Sequence, residues 1–341
     1  MEYLVNNILS VLPKLMEPLA VARARRDGPR LLVDVRSPSG RRRRLLIETR
    51  VAGAPGRVLE VLRQLTTASV HRAGYPMVAS AFLSSRAREL CRQAGVGYVD
   101  LAGNCSLRLR DFCLEKTVER NPFPRRGRPP SLFSPVSSRI LRVVLAAPAR
   151  LWQVSELARA AGVSLGQSSN VCRRLIDEAY AERFQRRVRL TQPGALLDAW
   201  READSRREPA AQAYYSFEQD PERLMARVST VAAEKGLRYA VTSLAAASLV
   251  APFVRGIGAV QWYIGEDASP HEWVGAMDLR PAEAGPNALL LAPHDPGVFV
   301  GTQTVNGITL VGNIQLYLDL WRSAGRGREQ AEFLRQERIT F

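Results

Sequence analysis

Three observations predict a multidomain α/β protein. Short apolar runs alternate with segments of helical spacing on either side of the centre of the chain. Between them, residues 154–176 read as two short helices joined by a tight turn at Gly162. A Pro- and Arg-rich stretch over residues 119–131 has no apolar period and reads as an extended connector. The expected organisation is a mixed-sheet α/β domain over 1–119, a linker over 120–135, a compact helical module over 136–200 and a second α/β domain over 213–341. A chain of 341 residues has length for two or three such domains.

The central module is the most specific part. Leu157, Ala158 and Ala161 share one helix face, Gly162 supplies the turn, and Ser164 stands where a hydroxyl caps the next helix. In that second helix, expected over 164–179, Ser168, Val171 and Leu175 recur toward a core. Gln167, Ser169, Asn170, Arg173 and Arg174 are then expected to point outward. Gln and Asn can pair bidentately with adenine, and Arg with guanine or phosphate. Ile140, Leu141, Val143, Val144 and Leu145 make a preceding core helix, while residues 183–191 alternate apolar and basic residues as a two-stranded wing should. Three helices and a wing, with Arg186, Arg187 and Arg189 on it, form a winged helix-turn-helix suited to double-stranded DNA. A helical hairpin with a solvated basic face, or a winged helix used for protein contacts, is the alternative.

Charge distribution agrees with a nucleic-acid partner. The net charge is +15, and residues 1–133 carry 24 Lys and Arg against 11 Asp and Glu. Residues 134–208 carry 13 against 8, and residues 209–341 carry 11 against 14. Phosphate-facing surface is therefore expected in the first two segments, and a different role in the last. Neither a signal peptide nor an apolar run of about 20 residues is recognisable, so a cytoplasmic, nucleoid-associated protein is expected. Cys91, Cys105, Cys113 and Cys172 form no CxxC pair, and the three histidines are scattered, so no metal site and no cofactor is expected.

In the first domain the expected order is a helix over about 3–25, strands over 31–35 and 45–50, a helix over about 56–72, a buried run over 77–83 and a helix over 85–94. Strands near 96–101, 105–110 and 113–118 complete it. Asp34 on one strand of the hairpin, Glu48 and Arg50 on the next, and Gln64 on the following helix resemble the pattern of the PD-(D/E)xK restriction-endonuclease-like fold. In that family two carboxylates hold Mg²⁺ and a Lys steadies the attacking water. Arg50 stands in the Lys position, and a guanidinium is a poor substitute for a compact amine beside a metal. The resemblance implies a degenerate nuclease-like domain; the alternatives are a live Mg²⁺-dependent DNase, or carboxylates paired with the Arg41–Arg44 run.

Gly95-Val-Gly-Tyr-Val-Asp-Leu-Ala-Gly-Asn104 resembles a signature of bacterial proteins that join such a domain to a winged helix. Physically it is a strand and a tight turn held by Asp100 and Asn104. In the linker, Arg126-Gly-Arg-Pro129 matches the core of an AT-hook, whose two Arg side chains, here Arg126 and Arg128, lie in an A·T minor groove. A passive linker is the alternative.

For the last domain, strands are expected near 239–241, 259–264, 288–291 and 297–302, with helices over 221–235 and 243–253 and at the tail. The tail string Gln315-Leu-Tyr-Leu-Asp-Leu320, followed by Gly325-Arg-Gly327 and Ala331-Glu-Phe-Leu334, resembles the C-terminal domain of AbiEi-type antitoxins, a domain related to the nucleotidyltransferase fold. Active nucleotidyltransferases follow a Gly-Ser turn with a strand bearing paired carboxylates. Here Thr242-Ser243 is followed by Val260, Gln261 and Trp262, so no nucleotidyl transfer is expected, with Glu266 and Asp267 just beyond. The resemblance implies a transcriptional regulator that represses its own operon. A homodimer is expected because one recognition helix reads too few base pairs for selectivity. A cognate toxin or other protein partner is the further expectation, and a protein-binding antitoxin with secondary DNA contact is an alternative.

Overall fold

The computed structural model describes residues 2–28, 30–49, 53–67, 70, 73–118, 121–123, 131–204, 209–266 and 268–341. Arg50, Arg126, Arg128 and Asp267, all singled out in the sequence, lie outside the described residues. The chain divides into two units, one of residues 1–129 with 175–179 and one of 130–174 with 180–341.

The first unit opens with α1 (Glu2–Leu15), which buries Val5, Ile8 and Leu12 along one face. The helix expected to about residue 25 is corrected, because Ala20–Asp27 form a strand, β1. Pro18 lacks the amide a continuing helix needs, and the Ala-Arg alternation over residues 22–25 has the period of a strand. Asp27 and Gly28, the latter at φ 58°, then turn the chain into β2 (Arg30–Arg36). The remaining strands are β3 (Arg42–Glu48), β4 (Tyr75–Ser80), β5 (Gly97–Asp100), β6 (Cys105–Leu109) and β7 (Phe112–Lys116), and all seven lie in sequence order across one sheet. The β3–β4 and β4–β5 pairs are parallel and the others antiparallel, the mixed sheet the sequence predicts.

Helices α2 (Pro55–Leu65) and α3 (Ser85–Gln93) carry the chain between the parallel strands. The helix predicted to residue 72 thus ends at Leu65. Two cores flank the sheet. Leu31, Val33, Val35, Leu45, Ile47 and Met77 cluster with the buried face of α1. Leu46, Val78 and Tyr98 cluster with Val58 and Leu62 of α2 and Leu90 and Cys91 of α3. Burying each such side chain contributes about 1.5–3 kcal/mol.

The side chains of Asp100 and Asn104, both fully buried, form a polar knot across the turn between them. Asp100 accepts from the amides of Leu83 (2.9 Å), Ala102 (3.0 Å) and Asn104 (2.9 Å) and from Asn104 Nδ2 (2.7 Å). Asn104 Oδ1 in turn accepts from the Val118 amide at 2.7 Å and from Arg88. Gly97 precedes it because a Cβ there would come within 2.8 Å of Met77 and 2.9 Å of the Ser106 carbonyl.

Along the chain α4 (Pro135–Ala146), α5 (Val154–Ala161), α6 (Leu165–Asp177), the hairpin β8 (Ala181–Phe184) and β9 (Arg187–Leu190), and α7 (Pro193–Asp204) follow, all in the second unit except residues 175–179. A seven-stranded sheet follows, ordered β13-β10-β14-β12-β11-β16-β15. Its strands are β10 (Ala210–Tyr215), β11 (Tyr239–Thr242), β12 (Val260–Ile264), β13 (Arg280–Pro281), β14 (Ala288–Ala292), β15 (Gln303–Val305) and β16 (Ile308–Leu310). Helices α8 (Pro221–Lys235), α9 (Ser243–Val250), α10 (Pro270–Met277), α11 (Asn313–Arg322) and α12 (Gly327–Leu334) complete it.

The strand expected over 297–302 is corrected to a 3₁₀ turn at Pro296–Phe299, where Asp295 accepts from the Gly297 amide at 2.7 Å. Apart from residues 175–179, the helical module groups in the same unit as this sheet. Arg139 of α4 makes a two-pronged pair with Asp295, at 2.8 and 2.6 Å. Arg142 is buried, donates to Ser138 Oγ (2.8 Å) and Gln315 Oε1 (3.1 Å), and its guanidinium lies 4.9 Å from the Trp200 ring centre. Burial pulls the Arg142 guanidinium down to about 10.

Candidate nucleic-acid interface

Gly162, at φ 61°, ends α5 in the left-handed conformation that closes a helix, and its amide reaches back to the Arg159 carbonyl. Ser164 Oγ then accepts from the Gln167 amide at 3.2 Å, which caps α6 as its position predicts. Leu157, Ala158, Ala161, Ser168, Val171 and Leu175 are all buried. Ser168 Oγ donates to the Val154 carbonyl at 2.9 Å and so ties the second helix to the first residue of the one before it.

With these positions inward, α6 exposes Gly166, Ser169, Asn170 and Arg173 at helical spacing. Asn170 Oδ1 accepts from Arg173 Nη2 at 2.8 Å, so the two present a coupled amide and guanidinium. Ser164 is exposed at the start of the helix, and Arg174 is half-buried. Gln167 departs from expectation: it is half-buried and donates to Ser137 Oγ of α4 at 3.2 Å rather than pointing outward. It lies one position before buried Ser168, at the border of the inward stripe. Leu165, 60 % exposed at the first residue of α6, was missed; its signal was an apolar residue off the core spacing.

The wing follows α6 after residues 178–180. Phe184 pairs Arg187, Arg183 pairs Val188 and Glu182 pairs Arg189, which leaves Gln185 and Arg186 as a two-residue turn with Gln185 at φ 54°. Val188 and Leu190 point inward, while Arg183, Phe184, Arg186, Arg187 and Arg189 are exposed. Arg189 is paired across the hairpin with Glu182, and Arg187 Nη1 reaches the Leu151 carbonyl at 3.4 Å. Trp152 adds a third, one-residue strand through two backbone bonds to Val188, at 2.9 and 2.8 Å.

The nuclease-like residues are not brought together. In the β2–β3 ladder Asp34 stands opposite Arg44, and Glu48 stands opposite Arg30. Four ladder positions, about 13 Å of strand, therefore separate their backbones, and each carboxylate is held by an Arg of its own. Asp34 is held by Arg44 at 2.8 Å, whose hydrogen bond lowers the carboxyl's pKa. Glu48 is buried against Arg30 at 3.2 Å, while Asp34 pairs with Arg44 of the Arg41–Arg44 run. Gln64 is exposed on α2 and no hydrogen bond joins it to either carboxylate among the described residues. Among those residues no cluster of three His, Cys, Asp or Glu could hold a metal ion, and no helix is long and apolar enough to cross a membrane.

In the sheet of the second unit, Thr242 ends β11 and Ser243 begins α9 at φ 59°. Gln261 stands opposite Thr242 on β12. The carboxylate facing this turn comes instead from α11: Asp319 accepts from Thr242 Oγ1 (2.6 Å), Tyr263 OH (3.0 Å), Gln315 Nε2 (2.7 Å) and Arg322. Arg322 also holds Asp204 at 2.8 Å. Asp319 is thus consumed by internal partners, and Glu266 is exposed beyond β12.

Residues 189–340, less than half of the chain, match the model of a family described as a transcriptional regulator, AbiEi antitoxin, of type IV toxin–antitoxin systems. The match begins on β9 and takes in the whole second sheet, but not α5 or α6. No curated protein and no solved structure matches the chain.

Proposed function

We propose that the chain is a transcriptional regulator of the antitoxin type that binds double-stranded DNA, with α6 in the major groove. The observation that carries this reading is the exposed polar face of α6, Ser169, Asn170 and Arg173, displayed immediately after the Gly162 turn and Ser164 cap. Asn170 and Arg173 have the donor and acceptor geometry for base edges, and Leu165 offers an apolar contact for a thymine methyl. Arg186 and Arg187 of the wing, with Arg174 and Arg189, supply the phosphate grip, and Arg126 and Arg128 extend it into an adjacent A·T minor groove. The family match over residues 189–340 supports the regulatory class; autorepression in a circuit with a cognate toxin is the reading that fits that class, and a homodimer the one that fits the short reach of a single recognition helix.

The test is recovery of genomic DNA bound by the full chain, followed by salt-titrated binding to the recovered sites. A short repeated motif, preferred over random DNA by at least about a thousandfold, is the expected result. Uniform, salt-labile binding to every sequence would refute base reading by α6.

A further inference from the structure

A cleft of about 600 Å³ opens within the second unit, between α4 with the turn that follows it and the segments around Gly301 and Gly312. Its size lies within the range of about 300–1,000 Å³ typical of small-molecule sites. The wall is largely apolar, with Val143, Pro148, Trp152, Ile314 and Ile339 among its residues. Its charged lining is of one sign: Arg142 and Arg338 contribute, and no Asp or Glu does. Arg142 is spent internally on Ser138 and Gln315. Arg338 is exposed, uses its Nε on the Val250 carbonyl at 2.9 Å, and pairs with no carboxylate among the described residues.

One residue of the lining also joins the cleft to the β8–β9 hairpin. Trp152 is 7 % exposed and is one of the residues that line it. The Trp152 backbone, in turn, carries the two hydrogen bonds to Val188 of the wing.

We infer that this cleft binds a small organic acid with an apolar body, its carboxylate at Arg338 and its body against Trp152, and that occupancy is transmitted through the Trp152–Val188 bridge to the wing. A neutral apolar ligand would leave Arg338 unanswered, and a polyphosphate would place several charges against an apolar wall with one available cation. The binding site stands on its own geometry; its effect on DNA rests on the function proposed above.

The probe is 2-naphthoate, with 2-naphthamide as its neutral counterpart, titrated into the ¹⁵N-labelled full chain without DNA. Indole N–H resonances are assigned with Trp152→Phe. Saturable shifts of the Trp152 indole and the Val188 amide are expected, with the acid binding roughly tenfold tighter than the amide. Arg338→Gln should erase that preference. Ala160→Trp, at an exposed position of the lining, should block both ligands while leaving the melting temperature unchanged. No saturable shift at millimolar 2-naphthoate, equal affinity for acid and amide, or binding that Ala160→Trp leaves intact overturns the site. A Trp152 shift without a Val188 shift overturns the coupling. Because no DNA is present, these results are separate from any failure of DNA recognition.

Discussion

Ser168 Oγ, wholly buried in α6, donates to the carbonyl of Val154 at the start of α5, and this 2.9 Å bond fixes the two helices on either side of the Gly162 turn. Ser168→Ala leaves the backbone conformation available but removes the only polar atom of that side chain. A loss of about 1 kcal/mol is expected, read as a lower urea midpoint with an unchanged slope. An unchanged midpoint would show that the bond contributes nothing net.

Arg173 and Arg187 should fail differently on DNA. Arg173→Ala should cost about 1–3 kcal/mol at the preferred site and relax base choice there, because a guanidinium that reads a base edge carries sequence information. Arg187→Ala should weaken binding to all sequences alike and reduce the salt slope by about 1. Fluorescence anisotropy on the recovered site and on a scrambled site distinguishes them; identical behaviour of the two variants would reject the assignment.

Asp319 gathers Thr242, Tyr263, Gln315 and Arg322 on one buried carboxylate. Asp319→Ala should destabilise the second unit by about 3–5 kcal/mol, since it takes one carboxylate away from a largely buried guanidinium. Thr242→Val should cost less, and the double variant should cost less than the two single losses together. Denaturant unfolding of the four proteins is the check, and strict additivity would contradict a shared network.

Acid should loosen the junction of α4 with the Asp295 turn. Burial by itself raises the Asp295 carboxyl, but the Arg139 hydrogen bond and the Gly297 amide outweigh it, and the net pKa is lowered. A carboxyl whose folded pKa lies below its unfolded value of about 3.9 contributes fully above that value and loses the contribution as pH falls through the folded one. The stability advantage of the native chain over Asp295→Asn should therefore hold from pH 7 to about 4 and shrink below it. Melting temperatures of both proteins from pH 7 down to about 2 decide the matter; a difference that stays constant below pH 4 would exclude the linkage.

Metal-dependent DNA cleavage is not expected from the first unit, because Asp34 and Glu48 lie four ladder positions apart. Mg²⁺ or Mn²⁺ added to the chain on labelled DNA should yield no cutting that Glu48→Ala abolishes. Cutting that this variant does abolish would show that the ladder rearranges around an ion.

The sequence by itself determined what is local. Gly162, the Ser164 hydroxyl three residues before the amide it caps, the inward stripe of α6 and the alternation of the wing all act within one or two turns of chain. Their geometry follows from backbone sterics and side-chain period, so they were legible before any tertiary contact was known. The same holds for the Asp100–Asn104 turn, where donor and acceptor are four residues apart. Only the tertiary structure decided the rest. It placed residues 20–27 in the sheet instead of a longer helix, because β2 offered them a ladder interrupted by one bulge between Val21 and Arg23. It parted Asp34 from Glu48, since the hairpin turn at residues 37–40 sets which residues face each other and a residue pattern does not. It took Gln167 inward to Ser137, thirty positions away, and assembled the Thr242–Asp319 pair across seventy-seven. Such partners are chosen by the packing of distant elements, whose loop-closure entropy and steric fit leave no periodic trace in the sequence.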